Sequence, residues 1–233
     1  MNTSPHHLDY DAPTPGEGFA KPAAQASPQA TRWLALGAVV GPVLFVLASV
    51  VLGLLRPGYS PVSQQVSALA IGPNGVFMRA AYMLCGPLVI VGVIAVFRGF
   101  KHELGEVACW ACTVLLVLSP LGILWAGIFT MNPETLALHL VGAQLAFTTP
   151  IIALPIAGFV LRRVPYWRRF GTWLLLGSPL TLAVLIGFIM SVPPSVLATV
   201  AGGGSLGLWQ RALGIEVFAW FVAMGWRAFR RSH

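Results

Sequence analysis

The sequence predicts an all-α membrane protein. The expected fold is a six-transmembrane-helix bundle with both termini cytoplasmic and a short amphipathic helix in the first extracytoplasmic loop. Three observations lead there. Charged residues make up only 9% of the 233 residues and hydrophobic residues 57%, whereas a soluble domain of this size needs a charged surface. Six apolar runs approach or exceed the roughly 20 residues that carry a helix across about 30 Å of hydrocarbon. Finally, the basic residues collect in alternate connecting segments.

Residues 1–31 hold Pro5, Pro13, Pro15, Pro22 and Pro28 among small polar residues. Without apolar periodicity they read as a disordered cytoplasmic tail, leaving residues 32–233 as a single transmembrane domain. The first span is Trp33–Leu55. No short apolar run with a cleavage site precedes it, so this span is expected to act as the retained targeting signal. In the loop that follows, Ser60 is placed to cap a helix with Pro61 at its first position. Val62, Val66, Leu69 and Ala70 then recur at helical spacing, and Gly72-Pro73-Asn74-Gly75 ends the segment. Ser63, Gln64 and Ser67 would form the polar side of this amphipathic helix, lying on the outer surface or capping the bundle.

The remaining spans are Phe77–Arg98, Val107–Phe129, Leu136–Leu161, Phe170–Val192 and Gln210–Phe229. In five of the six, a small or hydroxyl residue precedes a proline near the middle: Gly41-Pro42, Gly86-Pro87, Ser119-Pro120, Thr149-Pro150 and Ser178-Pro179. Proline removes a donor and frees a carbonyl. The pattern fits either a central cavity with hinges or close packing of bent helices through small residues. Cys109 and Cys112 form a C-x-x-C pair, but inside an apolar helix, with Cys85 about 10 Å away in depth. They read as buried thiols. Gly202-Gly203-Gly204 lacks the Lys-Ser or Lys-Thr of a phosphate loop and reads as a flexible tether.

If the segments around Lys21 and Arg32, Arg98 and Lys101, Arg162 to Arg169, and Arg227 to Arg231 are cytoplasmic, eleven of the fourteen Lys and Arg face inward. Only Arg56, Arg79 and Arg211 face outward, which is the positive-inside bias. The net charge of +7 is thus a topology signal and not a nucleic-acid footprint. Arg162, Arg163, Arg168 and Arg169, with Tyr166 and Trp167, suit anionic lipid headgroups at the cytoplasmic face.

Function must rest on the few polar groups that enter the membrane. Glu216 lies about 9 Å inside the last span by rise per residue, and an intramembrane carboxylate needs a partner or a proton. His139, near the outer start of span four, shares a face with Gly142, Ala143 and Ala146, a small-residue stripe that should pack inward. Arg211 is at similar depth to both, and Glu134, Asn132 and Tyr59 complete the outer polar set. No metal-ligand spacing or cofactor motif is found.

The run Arg56-Pro57-Gly58-Tyr59-Ser60-Pro61, followed by Ser63 through Leu69 and Gly72, resembles the first outer loop of a prokaryotic membrane family catalogued as domain of unknown function 998. Phe129 to Glu134 leading to His139 is similar too, as is Gly207-Leu208-Trp209-Gln210-Arg211 opening a last span that contains Trp220. The likeness covers about Arg32 to Arg230. It implies this fold and topology in a prokaryotic plasma membrane, and no particular activity. Asn132 stands where the family has an acidic residue before proline, which weakens any metal ligand proposed there.

The leading expectation is a non-enzymatic protein that binds or moves a lipid-like or apolar ligand at an outer-leaflet pocket. His139, Glu216, Arg211, Gln210, Tyr59, Ser63, Ser67 and Glu134 would line it. The alternatives are a membrane-embedded hydrolase or transferase using His139 and Glu216, and a scaffold for other membrane proteins.

Overall fold

In lipid an isolated apolar segment can satisfy its backbone only as a helix, and all six apolar runs are helical. The computed structural model describes residues 28–195 and 201–231, with no strand among them. The first span is split at Leu36 into α1 (Pro28–Ala35) and α2 (Gly37–Leu55). It is followed by α3 (Gly75–Arg98), a single turn α4 (Lys101–Leu104), α5 (Glu106–Ile128), α6 (Leu136–Leu161), α7 (Arg168–Ser191) and α8 (Leu206–Arg230). Six segments are long and apolar enough to cross a membrane, as predicted. The first starts earlier than expected, at Pro28, because a helix can begin among polar residues before its apolar stretch, and the last starts at Leu206, four residues ahead of the expected Gln210. Most of the predicted tail lies outside the described residues, but its end, from Pro28 to Thr31, is helical.

Each spanning helix packs on the next in sequence, and α8 closes the ring by contacting both α7 and the α1–α2 pair. Large apolar side chains such as Leu54, Trp173 and Met190 point outward, as lipid-facing side chains do. The interior contacts are made by small residues at the proline level. A Cβ on Gly41 would lie 3.0 Å from the Cys85 carbonyl oxygen, and one on Gly86 2.8 Å from that of Pro120. One on Gly122 would lie 2.5 Å from the Ala146 nitrogen. Three successive helix pairs therefore meet nearly backbone to backbone. Pro150 cannot donate to the Ala146 carbonyl four residues earlier, and the Ser119 hydroxyl of α5 donates to it at 2.8 Å. Thr149 and Ser178 instead donate within their own helices, to Leu145 and Leu174. The proline pattern thus marks close packing, with one cross-helix stitch. The three cysteines are free and buried.

One end of the bundle carries most of the basic residues. There Arg32 donates to the Phe229 carbonyl at 3.0 Å, Arg231 pairs with Glu103, and the Arg227 guanidinium sits 4.3 Å from the Tyr166 ring centre. Trp167, expected near headgroups, is instead fully buried between Phe100 and Phe170. A Cβ on Gly225 would be 2.6 Å from the Ala35 carbonyl oxygen, so α1 and α8 are tightly joined at this end.

The opposite end is closed by the first loop, which is not one continuous amphipathic helix. Ser60 does cap a turn: its hydroxyl accepts from the Ser63 N–H at 3.4 Å, and its carbonyl accepts from Gln64 at 2.8 Å. Gln65 is then extended, and a separate 3-10 helix runs over Val66–Ala70. The break rotates Ser67 off the expected polar side, leaving it 1% exposed. Its hydroxyl donates to the Gln65 side chain and contacts the Met131 sulfur. The loop is therefore a wedge inserted between helix ends.

Candidate functional site

The wedge is fastened chiefly to the start of α8. The first N–H groups of a helix have no partner within it, and here the Val62 carbonyl accepts from Leu208 at 2.9 Å. The Ser63 carbonyl accepts from Gly203 at 3.0 Å, so the triple-glycine segment, expected as a free tether, is pinned at its centre. Gly207 is required by close approach, since a Cβ there would lie 2.7 Å from the Pro61 carbonyl oxygen. Gln210 accepts from the Val66 N–H through its side-chain oxygen at 2.7 Å. Arg211 donates to the carbonyls of Pro61 and Gln64 at 2.7 and 2.9 Å, to its own helix at Gly207, and to the Tyr59 hydroxyl.

Beneath this roof lies a cavity of about 660 Å³ between α2, α3, α5, α6 and α8, within the usual range for small-ligand sites of about 300–1,000 Å³. Its roof presents Arg56, Tyr59, Ser67, Gln210 and Arg211, and its body is apolar, with Phe45, Ile123, Phe147, Val217 and Phe218. Phe45 is held edge-on against Tyr82 and Phe218. Burial raises the Tyr59 phenol above its ordinary pKa, and the Arg211 and Arg56 guanidiniums oppose that shift. The phenol is therefore a neutral hydrogen-bonding group at neutral pH.

His139 reaches the cavity from the α6 side. Its Nδ1 lies 3.1 Å from the Ala126 carbonyl oxygen and 2.8 Å from that of Phe129. Carbonyls only accept, so Nδ1 carries a hydrogen, and in the neutral form of the ring Nε2 is an acceptor. The small-residue stripe packs inward: Gly142 lies against Ala126 and Trp125 of α5, and Ala143 and Ala146 line the cavity.

Of the residues singled out in the sequence, five line the cavity: His139, Arg211, Gln210, Tyr59 and Ser67. Ser63 is in the wedge but behind the lining, and Glu134 is exposed in the α5–α6 connection. Glu216 does not join His139. Because α8 begins at Leu206, Glu216 lies about 15 Å along it, and its side chain turns to α7. There one carboxyl oxygen accepts from Thr181 at 2.8 Å and from Trp220 at 2.5 Å, while the other is buried without a partner. The acid–base pair that a His139–Glu216 hydrolase would use is not formed. Among the described residues no group of three His, Cys, Asp or Glu is placed to hold a metal.

In the sequence, Arg56 served as a topology exception and as the first residue of the family-like loop, but not as a site residue. It spans the wedge, donating to the Ala68 carbonyl at 2.5 Å and to that of Ile71 at 3.1 Å. Ser49 and Phe45 also line the cavity without having been singled out, and Ser119 was named only for its place before Pro120. The exceptional side of Arg56 and Arg211 was the available signal.

The fold and cavity define a multi-pass integral membrane protein with an amphiphilic chamber at one end of its helix bundle. The chain belongs to the family described as Protein of unknown function (DUF998), which it matches over residues 39–227. No curated protein and no solved structure matches it.

Proposed function

We propose that this protein binds a lipid-like amphiphile in the cavity beneath the first loop and exchanges it laterally with the bilayer. One observation carries the reading: the cavity wall between α2 and α8 includes apolar residues with much of their surface exposed. Val50, Leu54 and Ile215 line the cavity yet are 53%, 83% and 56% exposed, and a Cβ on Gly214 would meet nothing within 4 Å. A chain can lie in such a gap with its polar end under the roof. Gly214→Phe places a ring in that open space without displacing backbone. It should strongly reduce crosslinking by a photoactivatable long-chain lipid, measured by mass spectrometry of the purified protein. Glu216→Gln, which keeps an acceptor for Thr181 and Trp220 outside the cavity, should crosslink like the parent. Undiminished labelling of the Gly214→Phe protein would end this reading.

The charge asymmetry supports an orientation with the basic end cytoplasmic and the cavity in the outer leaflet of a prokaryotic plasma membrane. In this arrangement Arg162, Arg163 and Arg168, which line a shallow cleft with Phe159, meet anionic headgroups of the inner leaflet. A cysteine replacing exposed Glu134 should react with an impermeant maleimide added to intact cells, and one replacing Arg163 only after lysis. The reverse pattern would invert the orientation.

A further inference from the structure

We propose that the ligand's head is a phosphate ester, held under the roof by Arg56 and Arg211. The proposal rests on the lipid-cavity reading above and adds the chemistry of the headgroup. Two arginines line this cavity and no acidic residue does. The two acid–base ion pairs among the described residues, Lys101–Glu106 and Arg231–Glu103, involve neither arginine. Arg56 and Arg211 are held by carbonyl oxygens, the Tyr59 hydroxyl and, for Arg211, the Tyr59 ring face, none of them anionic. These contacts position the cations without neutralising them. At the margin of a low-dielectric bundle, two uncompensated positive charges facing one chamber favour an anion strongly.

The neighbouring groups narrow the anion further. Gln210 gives its oxygen to Val66, which leaves its amide N–H₂ as a donor at the same roof. Arginine pairs with phosphate through a planar fork of donors. On the His139 ring edge away from Ala126 and Phe129, Nε2 is an acceptor in the neutral ring, which a headgroup hydroxyl can satisfy. Below these groups the lining turns to Phe45, Ile123 and Phe147. The combination of several donors, one acceptor and an apolar body matches a phosphate ester with a free hydroxyl on a hydrocarbon chain. It disfavours a headgroup bearing an ammonium, because no acidic side chain faces the cavity to receive it.

The test uses the unaltered full-length chain, delipidated in neutral detergent, with probes sharing the same acyl chains: phosphatidylglycerol, phosphatidylcholine and diacylglycerol. Inorganic phosphate and glycerol phosphate are added as chain-free anions, and binding is read by native mass spectrometry and thermal shift. Phosphatidylglycerol should bind at least roughly tenfold more tightly than diacylglycerol, the ratio one charge-assisted hydrogen bond supplies. Phosphatidylcholine should fall below phosphatidylglycerol. Equal binding of all three lipids would overturn the phosphate assignment while leaving the lipid cavity standing, whereas binding of none would remove the cavity reading itself. Equal effects from the chain-free anions would show an ion site and overturn the lipid part. Arg56→Gln leaves Arg211 to hold the wedge and should narrow the preference for phosphatidylglycerol over diacylglycerol. An unchanged preference would overturn the role given to Arg56.

Discussion

Gly122→Leu is expected to prevent stable folding. At this position α5 meets α6 so closely that even a Cβ would come 2.5 Å from both the Ala146 nitrogen and the Gly142 carbonyl oxygen. These are backbone atoms of a neighbouring helix and cannot rotate away. On the facing side a Cβ on Gly142 would lie 2.8 Å from the Ala126 nitrogen, so the crossing is tight along more than one turn. Inserting a branched side chain must separate the helices, which also breaks the Ser119 bond to the Ala146 carbonyl and moves His139 off its two carbonyl partners. Overpacking alone costs about 1–3 kcal/mol or more, and the exposed carbonyl adds about 1–3 kcal/mol. That total is a large part of a typical domain's stability. Detergent-solubilised Gly122→Leu protein should run as aggregate on size exclusion, with Gly122→Ala intermediate in thermal stability. A monodisperse Gly122→Leu protein with the parental melting temperature would contradict the crossing geometry.

Arg211→Met should release the wedge. Methionine retains much of the apolar stem but donates nothing, so the Pro61 and Gln64 carbonyls and the Tyr59 hydroxyl lose their shared partner. Hydrogen bonds from a charged donor are worth about 1.5–3 kcal/mol each, less where water can replace them. A loss of about 2–4 kcal/mol overall is expected on that basis. The local consequence is more specific than the loss of stability. Ser67, buried at 1% exposure, should become accessible, so a cysteine there should react with maleimide far faster in the Arg211→Met background than in the parent. Arg211→Lys should fall between them, since lysine keeps the charge but not the planar fork. Equal reactivity in all three proteins would show that Arg211 does not hold the roof.

The spans were legible because crossing hydrocarbon imposes a length on each apolar run, and the inward face of α6 because His139, Gly142 and Ala146 repeat at helical spacing. The wedge was legible as a helical segment but not in its form. Val62, Val66, Leu69 and Ala70 keep a helical period across Gln65, and spacing alone does not register a single extended residue. Glu216 was found as an intramembrane acid, but its partners were not. Periodicity gives the direction of a side chain about its own axis, whereas Thr181 belongs to another helix whose rotation the sequence leaves open. Arg56 was hidden by a different cause: its partners are backbone carbonyls 12 and 15 residues away in a loop whose path spacing does not give. The roof depends on carbonyls from the wedge meeting the start of α8, a contact between segments nearly 150 residues apart.

The joint at Gly225 has a mechanical consequence. Where α1 and α8 touch there is no slack, and the Arg32 bond to the Phe229 carbonyl sits beside that contact. About 15 Å of helix separates Gly225 from Ile215 on the far rim. If the proposed lateral exchange widens the gap beside Ile215, a tilt pivoting on this seam would do so, and leverage would turn a slight rotation there into a larger displacement at the rim. On the proposed reading, changes at the pivot, rather than in the chamber, would then alter the rate of exchange.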